Sequence, residues 1–163
     1  MSVAKVFVYG DNISTDDIIA GRYLSKHDPR WWGSHAMENI DPEFTKKVER
    51  GDVIIGGKNF GCGSSREQAP IALKEAGVAA VVAESFARIF YRNAINQGLP
   101  ALACPEIKGG FKTGDEISVD FLKGEVKNLT TKKVFLVQPL PEFILNILRA
   151  GGLASYMRRK MRK

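Results

Sequence analysis

The 163-residue chain is 44% hydrophobic and 26% charged, which excludes a disordered chain, and it has no apolar run of bilayer length, so no membrane partner is expected. Its length suits one compact domain over residues 1–163. The formal net charge is +6, but Arg158, Arg159, Lys160, Arg162 and Lys163 carry five of those charges in a basic tail of about 157–163, so composition implies no basic face and no nucleic-acid partner.

Met1-Ser2-Val3-Ala4-Lys5 passes directly into a strand-like run without the zones of a secretory signal, so a cytoplasmic protein is expected. Val3 to Tyr9 reads as a buried strand that ends in a turn at Gly10-Asp11. From Asp11 to Asp52 turn residues interrupt the pattern, and a long irregular segment of this kind points to function. Within it only Pro42 to Arg50 reads as a short helix, with Asp41 as N-cap.

The middle alternates strands with helices. Asp52 to Gly56 is a strand, Pro70 to Ala76 a short helix closed by Gly77, and Val78 to Ala83 a second strand. Ser85 is placed to cap the next helix, with Phe86, Ile89, Phe90 and Ala94 on one face, and Gly98 ends it before the apolar run Leu99 to Ala103. This is the order of an α/β fold, a parallel sheet core with covering helices. Glu116 to Asp120, Glu125 to Asn128 and Val134 to Val137 then form a small antiparallel β appendage. Pro141 to Ala150 is an amphipathic helix with Phe143, Ile144, Ile147 and Leu148 inward. The tail is read as a solvated, frayed end or as a dock for an acidic partner.

The two cysteines, Cys62 and Cys104, with His27 and His35, lack the close spacing of zinc or iron–sulfur ligands. The chain is expected to bind no metal and to keep both thiols buried and reduced, with an intermolecular disulfide as the alternative.

The richest stretch is Gly56-Gly57-Lys58-Asn59-Phe60-Gly61-Cys62-Gly63-Ser64-Ser65-Arg66-Glu67. Glycines let the backbone approach a ligand, N–H groups of such a loop bind anions, and Arg66 offers a fork of donors that matches a carboxylate. Ser64-x-x-Glu67 is also a capping box, although Pro70 then falls beyond the first turn of the helix it would open. Both readings stand at this level.

Gly61 to Glu67, together with Gly10-Asp11-Asn12-Ile13-Ser14-Thr15-Asp16-Asp17-Ile18 and Ser85-Phe86-Ala87-Arg88-Ile89-Phe90-Tyr91-Arg92-Asn93-Ala94, resembles the small-subunit family of isopropylmalate isomerase and homoaconitase. That family is similar to the mobile C-terminal domain of aconitase. The resemblance implies a swivelling β/β/α domain and a hydro-lyase that is active only with a large subunit, as heterodimer or heterotetramer. The isolated chain is compatible with a homo-oligomer. The large subunit would carry a 4Fe-4S cluster through three cysteines, and the substrate would be a small hydroxy-dicarboxylate. Residue by residue, Ser64 becomes the general base and Asp16 a catalytic participant, in acid–base chemistry or in supporting the site. Gly63, Ser65 and Arg66 become substrate-carboxylate binders. Tyr23, Leu24, Ser25 and Lys26 fall in what resembles the substrate-selecting loop. The homoaconitase-like pattern has Arg after Tyr-Leu, whereas this chain has Ser25 followed by Lys26, which favours an isopropyl-bearing substrate and leaves a homoaconitase-type or dual specificity as the alternative.

Overall fold

The structure is a computed structural model that describes residues 3–162. In chain order the elements are β1 (Val6–Val8), α1 (Thr15–Ile18), α2 (Pro29–Ser34), α3 (Phe44–Lys47), β2 (Val53–Gly56), α4 (Gln68–Ala76), β3 (Ala80–Ala83), α5 (Arg88–Asn96), β4 (Ala101–Ala103), β5 (Ile117–Asp120), β6 (Glu125–Asn128), β7 (Val134–Leu136), α6 (Glu142–Arg149) and α7 (Leu153–Met161).

Strands β2 and β3 are buried along their whole length and carry no polar face, so both sides of their sheet must be covered. β1 to β4 pair parallel in sequential order, with Val6 beside Val53 and Val53 beside Ala80. Because crossovers between parallel strands share one hand, this order puts α4 and α5 on the same face. Phe7, Ile54, Val81 and Ala101 point to that face and join Leu73 and Phe90 in one core. Val6, Ile55, Val82 and Leu102 point the other way, into a second core with Ile117, Val126, Phe135 and Leu145. The antiparallel sheet β5-β6-β7 and α6 therefore cover what the helices leave open. The layers run helix, parallel sheet, antiparallel sheet, as the α/β expectation of a β/β/α arrangement requires.

Two polar anchors fix the layers. Buried Asn128 donates from Nδ2 to the Gly110 carbonyl and accepts on Oδ1 from the N–H groups of Thr130 and Thr131. Lys74 Nζ donates to the carbonyls of Gln97 and Gly151 at 3.1 and 3.2 Å, which ties the end of α5 to the turn between α6 and α7. α4 ends as expected, at Gly77 in a left-handed conformation.

Several expectations are corrected. Residues 11–52 contain α1 and α2, not only irregular chain; Ser14 and Asp17 form a reciprocal capping box on α1, and Asp28 caps α2 ahead of Pro29. The helix expected over 42–50 is the single turn α3, with Glu43 at its N-cap. Asp41 instead accepts from the Tyr9 hydroxyl at 2.8 Å. α5 begins at Arg88 without a side-chain cap, and Ile89 is 54% exposed, so the inward residues are Phe90, Ala94 and Ile95. On α6 the buried residues are Leu145 and Ile147, while Phe143 faces out and packs edge-on to Tyr156 of α7. The tail is solvent-exposed from Arg158 to Arg162, as expected, but helical to Met161 and not frayed, and Lys163 lies outside the described residues. No described helix is long and apolar enough to cross a membrane.

Candidate functional site

Three stretches that lie far apart in the chain meet at one end of the parallel sheet. β2 runs out into the glycine loop, which is held on one side by residues 10–15. The Gly57 N–H donates to the Gly10 carbonyl, the Lys58 N–H to Asp11 Oδ1 and the Gly61 N–H to the Ile13 carbonyl, the last at 2.7 Å. The Thr15 N–H returns a bond to the Cys62 carbonyl, and Thr15 Oγ1 donates to the Ser64 carbonyl at 2.7 Å. On the other side the loop is held by residues 85–87. The Asn59 N–H donates to Ser85 Oγ, the Phe60 N–H to the Ser85 carbonyl, and the Ala87 N–H to the Phe60 carbonyl. Ser85 is therefore a strut for the loop and not the helix cap expected of it.

Gly61 is the hinge of this arrangement. Its φ is +85°, and a Cβ there would overlap the Phe90 ring. The glycine lets the loop cross directly over α5, so the residues that follow face a cavity against the start of that helix. Gly63, Ser64, Ser65 and Arg66 line one wall of the cavity, whose volume is about 370 Å³. Asn59, earlier in the same loop, and Arg88, Ile89 and Asn93 of α5 also line the cavity.

The capping-box reading of Ser64 and Glu67 is overturned. α4 starts at Gln68 with Glu67 itself at the N-cap and no side-chain cap bond. Pro70 then stands in the first turn, where its missing N–H has no intrahelical partner to lose. Ser64 and Ser65 are exposed, and no described residue engages either hydroxyl, so both are free to act on a ligand.

Arg66 is held. Its Nη1 donates to Asp16 Oδ1 and to the Ile19 carbonyl, both at 2.9 Å. Asp16 also accepts from the Gly21 N–H at 3.2 Å, and its own carbonyl accepts from Asn39 Nδ2. The hydrogen bond from Arg66, followed by that from Gly21, holds the Asp16 carboxyl below its ordinary value of 3.8. A carboxyl depressed in the folded state contributes stability that is fully present above its unfolded value and fades as pH falls through the folded one. Asp16, Glu38 and Asp115 all shift this way. On the acid side, melting followed across pH should therefore show these carboxylates losing their contribution below about pH 4, with a shallower loss in Asp16→Asn.

Tyr23, Leu24, Ser25 and Lys26 are not among the residues that line the cavity. Tyr23 and Lys26 belong instead to a second cluster, joined to the first through Gly21 and Asn39. The Tyr23 ring stacks on His35 at 3.9 Å between centroids, Trp31 meets His35 at 4.3 Å, and His35 Nδ1 lies 2.8 Å from Glu38 Oε2. Lys26 Nζ sits 4.6 Å above the Trp31 ring. Leu24 is half-buried, and Ser25 is exposed. Trp32, by contrast, is core.

Sequence reasoning assigned no role to Thr15, Asn59, Arg88 or Asn93. Thr15, Arg88 and Asn93 lie within the stretches that carry the family resemblance, and only the folded loop brings them to the cavity that Ser64 lines.

The thiol expectation holds for one cysteine only. Cys104 is 1% exposed and burial pushes its thiol upward, whereas Cys62 is half-buried in the glycine loop. In the folded protein iodoacetamide should label Cys62 first, and mass spectrometry would read the order. Among the described residues no group of three or more His, Cys, Asp and Glu side chains comes together that could hold a metal ion.

Residues 12–106 match the Aconitase C-terminal domain family. The chain is 53% identical over 159 residues to the 3-isopropylmalate dehydratase small subunit of Caldicellulosiruptor saccharolyticus, covering 98% of this chain and 92% of that relative. It is 54% identical over 157 residues to the isopropylmalate/citramalate isomerase small subunit of Methanocaldococcus jannaschii, covering 96% and 94%. A crystal structure of 3-isopropylmalate dehydratase from M. jannaschii superposes with a TM-score of 0.91 at 45% identity, covering 97% of this chain and 93% of that one.

Proposed function

The chain belongs to the 3-isopropylmalate dehydratase small-subunit family, and on that premise we propose that it isomerises 2-isopropylmalate to 3-isopropylmalate in leucine biosynthesis, by loss and re-addition of water through isopropylmaleate. It acts as the small subunit of a cytoplasmic hydro-lyase, swivelling over a large subunit that carries the cluster. The observation that carries this reading is a serine with an unengaged hydroxyl beside an arginine locked in place by Asp16, on one wall of a ligand-sized cavity.

In this reading Ser64 takes the proton beside a substrate carboxylate. Negative charge then spreads onto that carboxylate, so Arg66, Ser65 and the N–H groups near Gly63 bind the transition state more tightly than the ground state. A serine hydroxyl is a weak base in water, and closure against the large subunit would exclude water around it. The cluster of the large subunit would supply the Lewis acid for the departing hydroxyl. Asp16, depressed in pKa and bonded to Arg66, is suited to aim the guanidinium and poorly suited to donate a proton at neutral pH. Asp16→Asn should therefore lower kcat/KM by about 10- to 100-fold through a misplaced Arg66, read by steady-state kinetics.

The test is to mix the chain anaerobically with a cluster-loaded large subunit and follow turnover of 2-isopropylmalate, citramalate and homoaconitate, each protein alone serving as control. Turnover of 2-isopropylmalate only in the mixture is the expected result. Silence from a verified, cluster-loaded complex would leave a non-catalytic anion-binding module. Homoaconitate as the preferred substrate would overturn the reading of Ser25.

A further inference from the structure

Glu142 is the last acidic residue of the sequence, and after it come Arg149, Arg158, Arg159, Lys160, Arg162 and Lys163. Three of these cations stand in the last turn of α7, where they complement the helix macrodipole. That accounts for their position but not for their surroundings. Among the described residues no carboxylate pairs with Arg158, Arg159, Lys160 or Arg162. Arg158 donates only to Ser155 Oγ, at 3.1 Å, and Lys160 Nζ lies 5.4 Å from the centre of the Tyr156 ring. Apolar side chains are exposed among the cations. Met157 and Met161, four residues apart on one face of α7, are 46% and 82% exposed, and Phe143, edge-on to Tyr156, is 59% exposed. α7 has nine residues and buries none of them. A helix of that length is marginal in water by itself, so a surface that covers it would stabilise it. Between α6 and α7 runs a groove of about 400 Å³ lined by Asn146, Arg149, Tyr156, Arg159 and Lys160. Arg149 is already paired with Glu142 at 3.1 Å, which leaves Arg159 and Lys160 as the uncompensated charges of the groove.

Among the described residues the groove and the catalytic cavity share no lining side chain. The turn that opens α7 lies at the far end of α5: Lys74 ties Gly151 to Gln97, and a Cβ on Gly152 would meet the Asn96 carbonyl oxygen at 2.6 Å. Arg88, at the other end of α5, lines the cavity, roughly 12 Å away along the helix. A separate domain that swivels over a partner needs a contact around the cavity, made and broken at each closure, and another that holds throughout. The α7 face has the position for the second. Its make-up selects the chemistry of what covers it. Arginine with methionine and an aromatic ring is the composition of protein interfaces, and the exposed methionines would gain nothing on a phosphate backbone. The complement is a protein surface with carboxylates set among apolar side chains.

We propose that α7, with the groove it forms against α6, docks on an acidic surface of the large subunit and keeps the subunits attached while the cavity opens and closes. The proposal rests on the two-subunit reading given above. Its test is the Kd between the chain and the large subunit, by titration calorimetry, for wild type, Arg159→Glu/Lys160→Glu and Arg159→Gln/Lys160→Gln. The Gln pair removes charge without placing acid at the C-terminal end of α7, so the helix, checked by circular dichroism, is retained. Lys47→Glu/Lys123→Glu, on exposed residues of α3 and the β5–β6 turn, controls for net charge. At low salt the Glu pair should raise Kd by about 5- to 50-fold, the Gln pair by a smaller factor and the control by less than about 3-fold, and the differences should shrink as salt rises. At saturating large subunit, kcat should equal the wild-type value in every variant, because none of these residues lines the cavity. A wild-type Kd in the Glu pair, or an equal loss in the control, would overturn the proposal, even where the tail then proved to bind a DNA duplex or a second copy of the chain. So would a kcat lowered at saturation, because α7 would then belong to the closing contact. A complex that forms but turns over no substrate would sink the isomerase reading and leave the Kd comparison decisive for α7. No complex at all would sink the two-subunit reading and the docking together.

Discussion

Replacing Ser64 by alanine should lower kcat of the assembled enzyme by about 100- to 10,000-fold, the usual contribution of a positioned general base. The fold should be indifferent to the change. The Ser64 side chain is exposed, α4 does not use it as a cap, and its contact with the neighbouring loop is made by its backbone carbonyl, which accepts from Thr15 and survives substitution. A shift in Tm of no more than about 2 °C is expected, since surface changes without partners stay within roughly 0.5 kcal/mol. Steady-state kinetics beside a thermal melt separate the two effects. Activity within a few-fold of wild type would remove Ser64 from the chemistry. A lowered Tm together with lowered activity would mean that the hydroxyl has a structural partner.

The largest effect on stability is expected from Gly61→Ala. The residue has a φ of +85°, and an added Cβ would strike the Phe90 ring. That ring cannot easily retreat, because it packs edge-on to Phe60 at 5.4 Å and stacks with Phe86 at 6.1 Å. Left-handed backbone costs an alanine about 1–2 kcal/mol and overpacking a further 1–3 kcal/mol. The total of roughly 2–5 kcal/mol should lower Tm by about 5–15 °C in a chain of this size. Gly63→Ala is the control. Its φ is +91°, but the nearest atoms to an added Cβ are the Ser14 Cβ and Thr15 Oγ1 at 3.7 Å, so only the backbone cost applies. Equal losses at the two positions in a thermal melt would show that the Phe90 contact contributes nothing.

Much of the architecture was legible in the sequence because it is encoded locally. The apolar runs of β2 and β3, the closing Gly77 and the turn-separated strands β5 to β7 each announce themselves within a few residues, and together they specify the parallel sheet and its antiparallel cover. Arg66 and the glycines identified an anion-binding loop, and the three motifs identified the family. What only the tertiary structure decided lies in longer-range contacts. Ser64-x-x-Glu67 fits a helix cap and a ligand loop equally well as a string; bonds from the loop to residues some 47 positions away, such as Lys58 to Asp11, and from Arg66 to Asp16, 50 positions away, pull it off the helix and leave the hydroxyls free. Ser85 reads as a cap for α5 until the Asn59 N–H takes its oxygen. Phe143 reads as core because five of the eight residues of α6 are apolar, too broad a stripe to select a face; packing buries Leu145, in the core shared with the antiparallel sheet, and Ile147, and leaves Phe143 for α7. Arg88 carries no signal of its own in the chain. It comes to line the same cavity as Ser64 because Gly61 lets the loop cross closely over α5.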